Sequence, residues 1–249
     1  MAVDKTPSRV RRMFAAVAQR YDLLNHLLSA GIDRRWRRRT VRLAPPVVDG
    51  PLAGLPVLDV CTGTGDLALQ YVRAMESGSA NNQHPVPPVI GTDFCRPMLE
   101  LAAEKARRRG LADRLSLMEV DTLRLPFADD SFQIVSVAFG LRNLADTDGG
   151  LREMTRVCCP GGRVAVLEFS TPRVWPIRPL YLWYFRHVLP RVGQAVASNR
   201  DAAYNYLPAS VGEFDEGEAL AGRMRAAGLD RVRFQRFTLG VATLYIGEK

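Results

Sequence analysis

The chain has 249 residues, 47% of them hydrophobic and 24% charged, which suits one soluble α/β domain with a full core and is too short for two comfortable ones. Its formal charge of +8 and the absence of any run near the ~20 apolar residues of a spanning helix exclude an acidic solvating chain and a membrane-embedded one. Met1 to Arg12 is polar and basic, with no apolar leader and cleavage site, so the protein is expected to be cytoplasmic.

Phe14, Val17, Tyr21, Leu24 and Leu28 recur at spacings of three and four, which predicts an amphipathic helix before any strand. Gly31 punctuates it, and Arg34, Arg35, Arg37, Arg38 and Arg39 then surround Trp36 in what reads as a second helix, broken at Ala44-Pro45-Pro46. A first strand is expected at about Val57 to Cys61, followed by a helix from Leu67. Glu76 to Pro88, a stretch of Gly, Ser, Asn and Pro without periodicity, reads as a surface insertion.

The second strand is Val89 to Asp93, and the next helix has Pro97 in its first turn and Gly110 as its stop. Leu115 to Asp121 is a third strand. Phe132 to Phe139 is a fourth, nearly continuous in apolar residues as a strand buried on both faces should be. Leu151, Met154 and Val157 mark a further helix stopped by Pro160-Gly161-Gly162, and Arg163 to Phe169 makes a fifth strand. Gly217 to Ala227 reads as a helix ended by Gly228. Strands at about Val232 to Thr238 and Val241 to Ile246, joined by Leu239-Gly240, imply a closing antiparallel hairpin. The whole reads as one domain over residues 1–249, with a helical extension at 1–50 and a ligand-binding core at 51–249.

The most informative run is Val57-Leu58-Asp59-Val60-Cys61-Thr62-Gly63-Thr64-Gly65-Asp66, an apolar strand running into a glycine turn and a helix. Gly63 and Gly65 lack the Cβ that would block a ligand's approach to the backbone. The spelling Gly63-Thr64-Gly65-Asp66-Leu67-Ala68 also fits a dinucleotide fingerprint, so the turn alone admits two cofactor classes. Asp66 falls where a pyrophosphate would lie over the helix N-terminus and would repel it. S-adenosyl-L-methionine is cationic and carries no phosphate, and the charge favours it.

Asp93 and Asp121 end the second and third strands and should emerge on the same sheet edge as this turn. An acid ending the second strand can accept both ribose hydroxyls, and a polar group ending the third can receive the adenine amine. An NAD-dependent oxidoreductase remains the alternative, as does an RNA methyltransferase or a basic RNA-binding module. Against RNA, no aromatic-basic platform is visible. The cysteines Cys61, Cys95, Cys158 and Cys159 show no Cys-x-x-Cys spacing and His26, His84 and His187 are scattered, so no metal is expected.

Further segments bear a resemblance. Tyr21-Asp22-Leu23-Leu24-Asn25, Leu28-Ser29-Ala30-Gly31, the glycine run, Leu125-Pro126-Phe127, Phe139-Gly140-Leu141-Arg142-Asn143, Arg156-Val157 with Pro160-Gly161-Gly162-Arg163, Leu167-Glu168-Phe169-Ser170 and Tyr204 to Ser210 follow in order. Almost end to end, the chain resembles the quinone-biosynthesis C-methyltransferases that methylate demethylmenaquinol and its ubiquinone-pathway counterpart. The glycine loop is common to many methyltransferases, whereas the Phe139 to Asn143 and Tyr204 to Ser210 blocks are specific. The resemblance implies a Rossmann-like class I methyltransferase fold: a seven-stranded, mostly parallel sheet with a C-terminal antiparallel hairpin and an N-terminal helical lid. It also implies that Thr64, Asp93, Asp121 and Thr122, with Gly63 and Gly65 lining the loop, contact S-adenosylmethionine. Ala138 departs from the Ser or Gly usual there, and Cys158-Cys159 from the usual Leu-Lys.

Methyl transfer to an aromatic carbon needs an electron-rich ring, and a quinol becomes one when a hydroxyl loses its proton. Arg142 is the candidate for stabilising that phenolate and Asn143 for holding a hydroxyl, with water the proton acceptor because a guanidinium stays protonated. Tyr21 and His26 on the leading helix are further candidates if it folds over the site. A prenylated quinol lives in the bilayer, so the basic charge has a use at an anionic membrane such as the inner face of the plasma membrane; the aromatic, aliphatic and basic segment Trp175 to Leu189 reads either as an interfacial or tail-binding segment or as a core-packing helix between the fifth and sixth strands. Nucleic acid is not an expected partner; a homodimer or a complex with other quinone-pathway enzymes stays open.

Overall fold

The computed structural model describes residues 4–29, 31–78, 87–184, 187 and 203–249, with backbone alone at 20–28, 177, 203–205 and 207–208. Two helices, α1 (Pro7–Leu28) and α2 (Ile32–Leu43), precede β1 (Val57–Val60) and α3 (Asp66–Gly78). Then come β2 (Val89–Asp93), α4 (Arg96–Arg108), β3 (Leu115–Glu119), β4 (Phe132–Ala138), α5 (Thr147–Val157) and β5 (Cys158–Phe169). The remaining elements are α6 (Ile177–Trp183), α7 (Ala203–Glu213), α8 (Glu218–Ala226), β6 (Asp230–Phe237) and β7 (Ala242–Glu248).

The strands form one sheet in the order β3-β2-β1-β4-β5-β7-β6. β1 pairs in parallel with both β2 and β4, so the strand order reverses there and leaves a crevice beyond the carboxyl ends of the three. β7 runs antiparallel to β5 and β6. The expected architecture is therefore present.

Burial follows position in the sheet. β1 and β4 are covered on both faces, and their alternate side chains enter two cores: Val57 and Ile134 pack with Leu67, Tyr71 and Met75 of α3, while Leu58, Val60, Val135 and Val137 pack with Met154 of α5 and Leu220 and Met224 of α8. The edge strand β6 instead exposes Arg231, Arg233 and Arg236, charges that discourage a further strand from adding there. α4 has a proline in its first turn, and α5 is capped by Asp146, whose Oδ1 accepts the Gly149 N–H at 2.9 Å.

Several boundaries differ from the expected ones. α1 begins at Pro7, about two turns before the first apolar repeat at Phe14. β5 begins at Cys158, because the chain passes through Pro160 and Gly161 in an irregular extended stretch whose register shifts between Phe132 and Ile134 of β4. Gly162 is required there: a Cβ would lie 2.8 Å from the Cys159 carbonyl oxygen and 2.9 Å from that of Gln133. β3 ends at Glu119, so Asp121 lies in the loop beyond it.

The arginine cluster divides. Trp36 and Arg37 turn inward, Arg37 pairing with Asp33, while Arg34, Arg35, Arg38 and Arg39 face solvent. The core of the insertion, residues 79–86, lies outside the described residues. No helix among the described residues is long and apolar enough to cross a membrane.

Candidate active site

The glycine turn is held from below by Asp59. Its Oδ2 accepts the Thr62 hydroxyl at 2.6 Å and its Oδ1 the Ser136 hydroxyl at 2.8 Å, which ties the turn to β4. Gly63 and Gly65 have φ of 57° and 79°, a region that penalises a Cβ. At Gly65 a Cβ would also sit 3.1 Å from that of Ala102 on α4. Cys61, at φ 49°, turns the chain out of β1, and Phe139, at φ 61°, does the same after β4. The two turns touch so closely that a Cβ on Gly140 would lie 2.4 Å from that of Cys61.

Asp93, at the end of β2, joins the turn from the side. Its Oδ2 accepts the Gly63 N–H at 2.9 Å and its Oδ1 that of Cys95 at 2.9 Å. Burial pushes the carboxyl up to about 6, against the pull of those backbone N–H groups, and does the same to Asp59. Asp121 is exposed and accepts the Leu123 N–H at 3.0 Å, and Thr122 is buried with its hydroxyl 3.4 Å from the Cys61 sulfur.

A cavity opens among these groups, lined by Cys61, Gly63, Asp93, Asp121, Thr122 and Asn143. Lys5, Pro7, Val10 and Phe14 close it from the N-terminal side. Of these only Phe14 was singled out in the sequence, as the start of the apolar repeat; the approach of Lys5, Pro7 and Val10 to the crevice is tertiary. The side chains of Tyr21 and His26 lie outside the described residues.

The acid used above to separate the two cofactor classes does not act alone. Lys105 on α4 donates from Nζ to Asp66 Oδ1 at 2.7 Å and to the Thr64 hydroxyl at 2.9 Å. The Asp66–Lys105 pair carries no net charge, so the acidity of the cavity comes from Asp93 and Asp121. No sequence rule would pair residues 39 apart on different helices.

At the other end, Arg142 and Asn143 form a one-turn 3-10 segment after β4. Arg142 is buried: Nη1 donates to Glu168 Oε1 at 2.6 Å and to the Phe139 carbonyl, and the guanidinium lies 5.3 Å from the Phe169 ring centroid. Its Nε, the Asn143 Oδ1 and the Tyr206 hydroxyl are buried without a hydrogen-bond partner. Asn143 Nδ2 donates to the Phe139 carbonyl at 3.4 Å. α7, which carries Tyr206, packs against this 3-10 turn. Phe139 stacks on Phe169 with centroids 4.3 Å apart, beneath the Arg37 guanidinium. Thus Gly63, Asp93, Asp121, Thr122 and Asn143 meet in one cavity, whereas Thr64 is engaged by Lys105 and Arg142 by Glu168.

The chain is 45% identical to the demethylmenaquinone methyltransferase of Deinococcus radiodurans over 242 residues, 96% of this chain and 92% of that one. It is 41% identical to the ubiquinone/menaquinone biosynthesis C-methyltransferase UbiE of Geotalea daltonii, covering 97% and 96%. Among solved structures, a SAM-dependent methyltransferase from Thermotoga maritima superimposes with a TM-score of 0.63 at 16% identity, over 96% of this chain and 99% of that one, a likeness of fold. Neither the oxidoreductase nor the RNA-directed alternative is favoured. The ubiE/COQ5 methyltransferase family matches residues 2–249, and the chain belongs to that family.

Proposed function

We propose that the chain transfers a methyl group from S-adenosylmethionine to a ring carbon of a prenylated quinol in menaquinone or ubiquinone biosynthesis. The observation that carries this reading is the polarity of the cavity. Two acids, Asp93 and Asp121, line it together with the Asn143 amide and one cation, Lys5. A cationic donor is complementary to the acids, and an acceptor that becomes anionic to the amide and the ammonium.

When bound, S-adenosylmethionine supplies an electrophilic methyl on a positively charged sulfur. Asp93 has lone pairs left for two ribose hydroxyls after accepting from Gly63 and Cys95, Asp121 and Thr122 face the adenine amine, and Gly63 to Gly65 let the backbone approach. Asn143 Oδ1 receives a quinol hydroxyl, and the Arg142 Nε–H, buried without a partner, is a donor that side chain can still offer. The ring hydroxyl gives its proton to water and its electron pair moves onto the neighbouring ring carbon. That carbon bonds the methyl carbon as the carbon–sulfur pair returns to sulfur, and its own proton then leaves to water.

A second surface supports a membrane-borne substrate. Val174, Trp175, Leu180 and Trp183 are exposed, Trp175 by 82%, as are Arg173 and Arg178 in the same segment, so apolar and basic groups are offered to solvent together. The reading is that this segment meets an anionic bilayer. The deciding assay is methyl transfer from labelled S-adenosylmethionine to chemically reduced short-tail demethylnaphthoquinone, run beside the benzoquinone analogue. Transfer to one supports the proposal and names the ring; transfer to neither, with cofactor binding intact, overturns it.

A further inference from the structure

We infer that the ammonium of Lys5 faces the ring oxygen from which the quinol loses its proton, and stabilises the oxyanion while the methyl is transferred. This rests on the quinol reading above. Lys5 stands two residues before α1 and lines the same cavity as Asn143. Its Nζ lies 5.9 Å from the ring centroid of Phe214, next after α7, and forms no ion pair among the described residues.

Charged groups from several elements bear on Lys5. They are Glu213 at the end of α7, Arg223 on α8, and the Arg142–Glu168 pair. Within that pair the two charges cancel at 2.6 Å, and Arg223 is bound by Asp148 at 2.7 Å and Asp215 at 2.9 Å. Among the described residues that line the cavity, Lys5 is therefore a cation whose charge is not consumed by an ion-pair partner. Burial lowers its affinity for a proton, with Arg223 and Arg142 adding to that and Glu213 and Glu168 opposing it. An ammonium in such surroundings gains most from an anion that forms beside it, which is the condition for stabilising a transition state over a neutral ground state.

The test uses the full chain as Lys5→Met and Lys5→Arg, with S-adenosylmethionine and the short-tail reduced quinone. Lys5→Met should bind S-adenosylmethionine within about twofold of wild type and lower kcat by about 10- to 100-fold, the range for loss of one oxyanion-facing group. Wild-type kcat should fall on the alkaline side at a pH below the ordinary lysine range. That fall should vanish in Lys5→Met and move to higher pH in Lys5→Arg, which should recover most of the turnover. Turnover of Lys5→Met within twofold of wild type, or one pH profile shared by all three proteins, overturns the assignment. Wild-type inactivity towards both quinols instead overturns the substrate reading beneath it.

Discussion

The Gly63 N–H donates to Asp93 Oδ2 at 2.9 Å, so the end of β2 fixes the position of a turn thirty residues earlier in the chain. One carboxylate thereby shapes the glycine turn and offers lone pairs to a ligand in the same cavity. Both tasks require it ionised, and burial has moved its titration close to neutral pH.

Asp93 therefore gives opposite pH dependences to binding and to stability. Its proton affinity is raised on folding, from the usual carboxyl value of 3.8 to about 6, as is that of Asp59. The stability that these two groups contribute is fully present below about 3.8 and is lost as pH rises through about 6. Cofactor affinity runs the other way, weakening as pH falls below about 6. Calorimetric titrations and thermal unfolding of the apoprotein across pH 4.5 to 8 check both. Asp93→Asn should weaken cofactor binding by roughly tenfold or more, the loss of charged hydrogen bonds, and remove its acid limb. Unchanged affinity would place the cofactor elsewhere.

Arg142→Ala should do two separable kinds of damage. It leaves Glu168 buried without its partner, at about 3–5 kcal/mol of stability. It should also lower turnover by at least about 10²-fold, as loss of an oxyanion donor does, while S-adenosylmethionine binding stays near normal. Replacing both partners, as Arg142→Met with Glu168→Met, should return most of the stability and none of the turnover. Denaturant unfolding and steady-state kinetics on the same samples distinguish the two; recovered activity in the double variant would remove Arg142 from the chemistry.

Gly140→Ala should force the β1 and β4 turns apart, because its Cβ would lie 2.4 Å from that of Cys61. The backbone at Gly140, with φ −110°, accepts any residue, so the penalty is steric alone, at about 1–3 kcal/mol for overpacking. Cys61→Gly in the same chain removes the clash and a left-handed non-glycine residue together. It should rescue both unfolding free energy and cofactor affinity, which denaturant titration and calorimetry read directly.

Trp175→Glu with Trp183→Glu should abolish flotation with anionic liposomes at low salt and leave turnover of a short-tail quinol within about twofold, since exposed positions away from the cavity contribute little to folding. Continued flotation would direct attention to the exposed arginines of α2.

The sheet was legible because its central strands are apolar runs and its turns carry Gly and Pro at the positions that need them. Asp93 and the glycine turn followed from that pattern, since strand ends in a parallel sheet share one edge. What the sequence hid is pairing across distance. Asp66 reads as a free acid until Lys105 is seen to neutralise it, and Arg142 reads as an available cation until Glu168, 26 residues on, is found against it. Lys5 sits in a polar lead-in without periodicity, and only tertiary folding brings it to the cavity.

Strand β7 is threaded between β5 and β6 although it is the last of the seven to be synthesised. Until residues 242–248 leave the ribosome, β5 stands as an open, apolar margin, for several seconds at about 5–20 residues per second. A nascent chain in that interval offers a template to any extended segment nearby, so the closing of the sheet waits on the last strand.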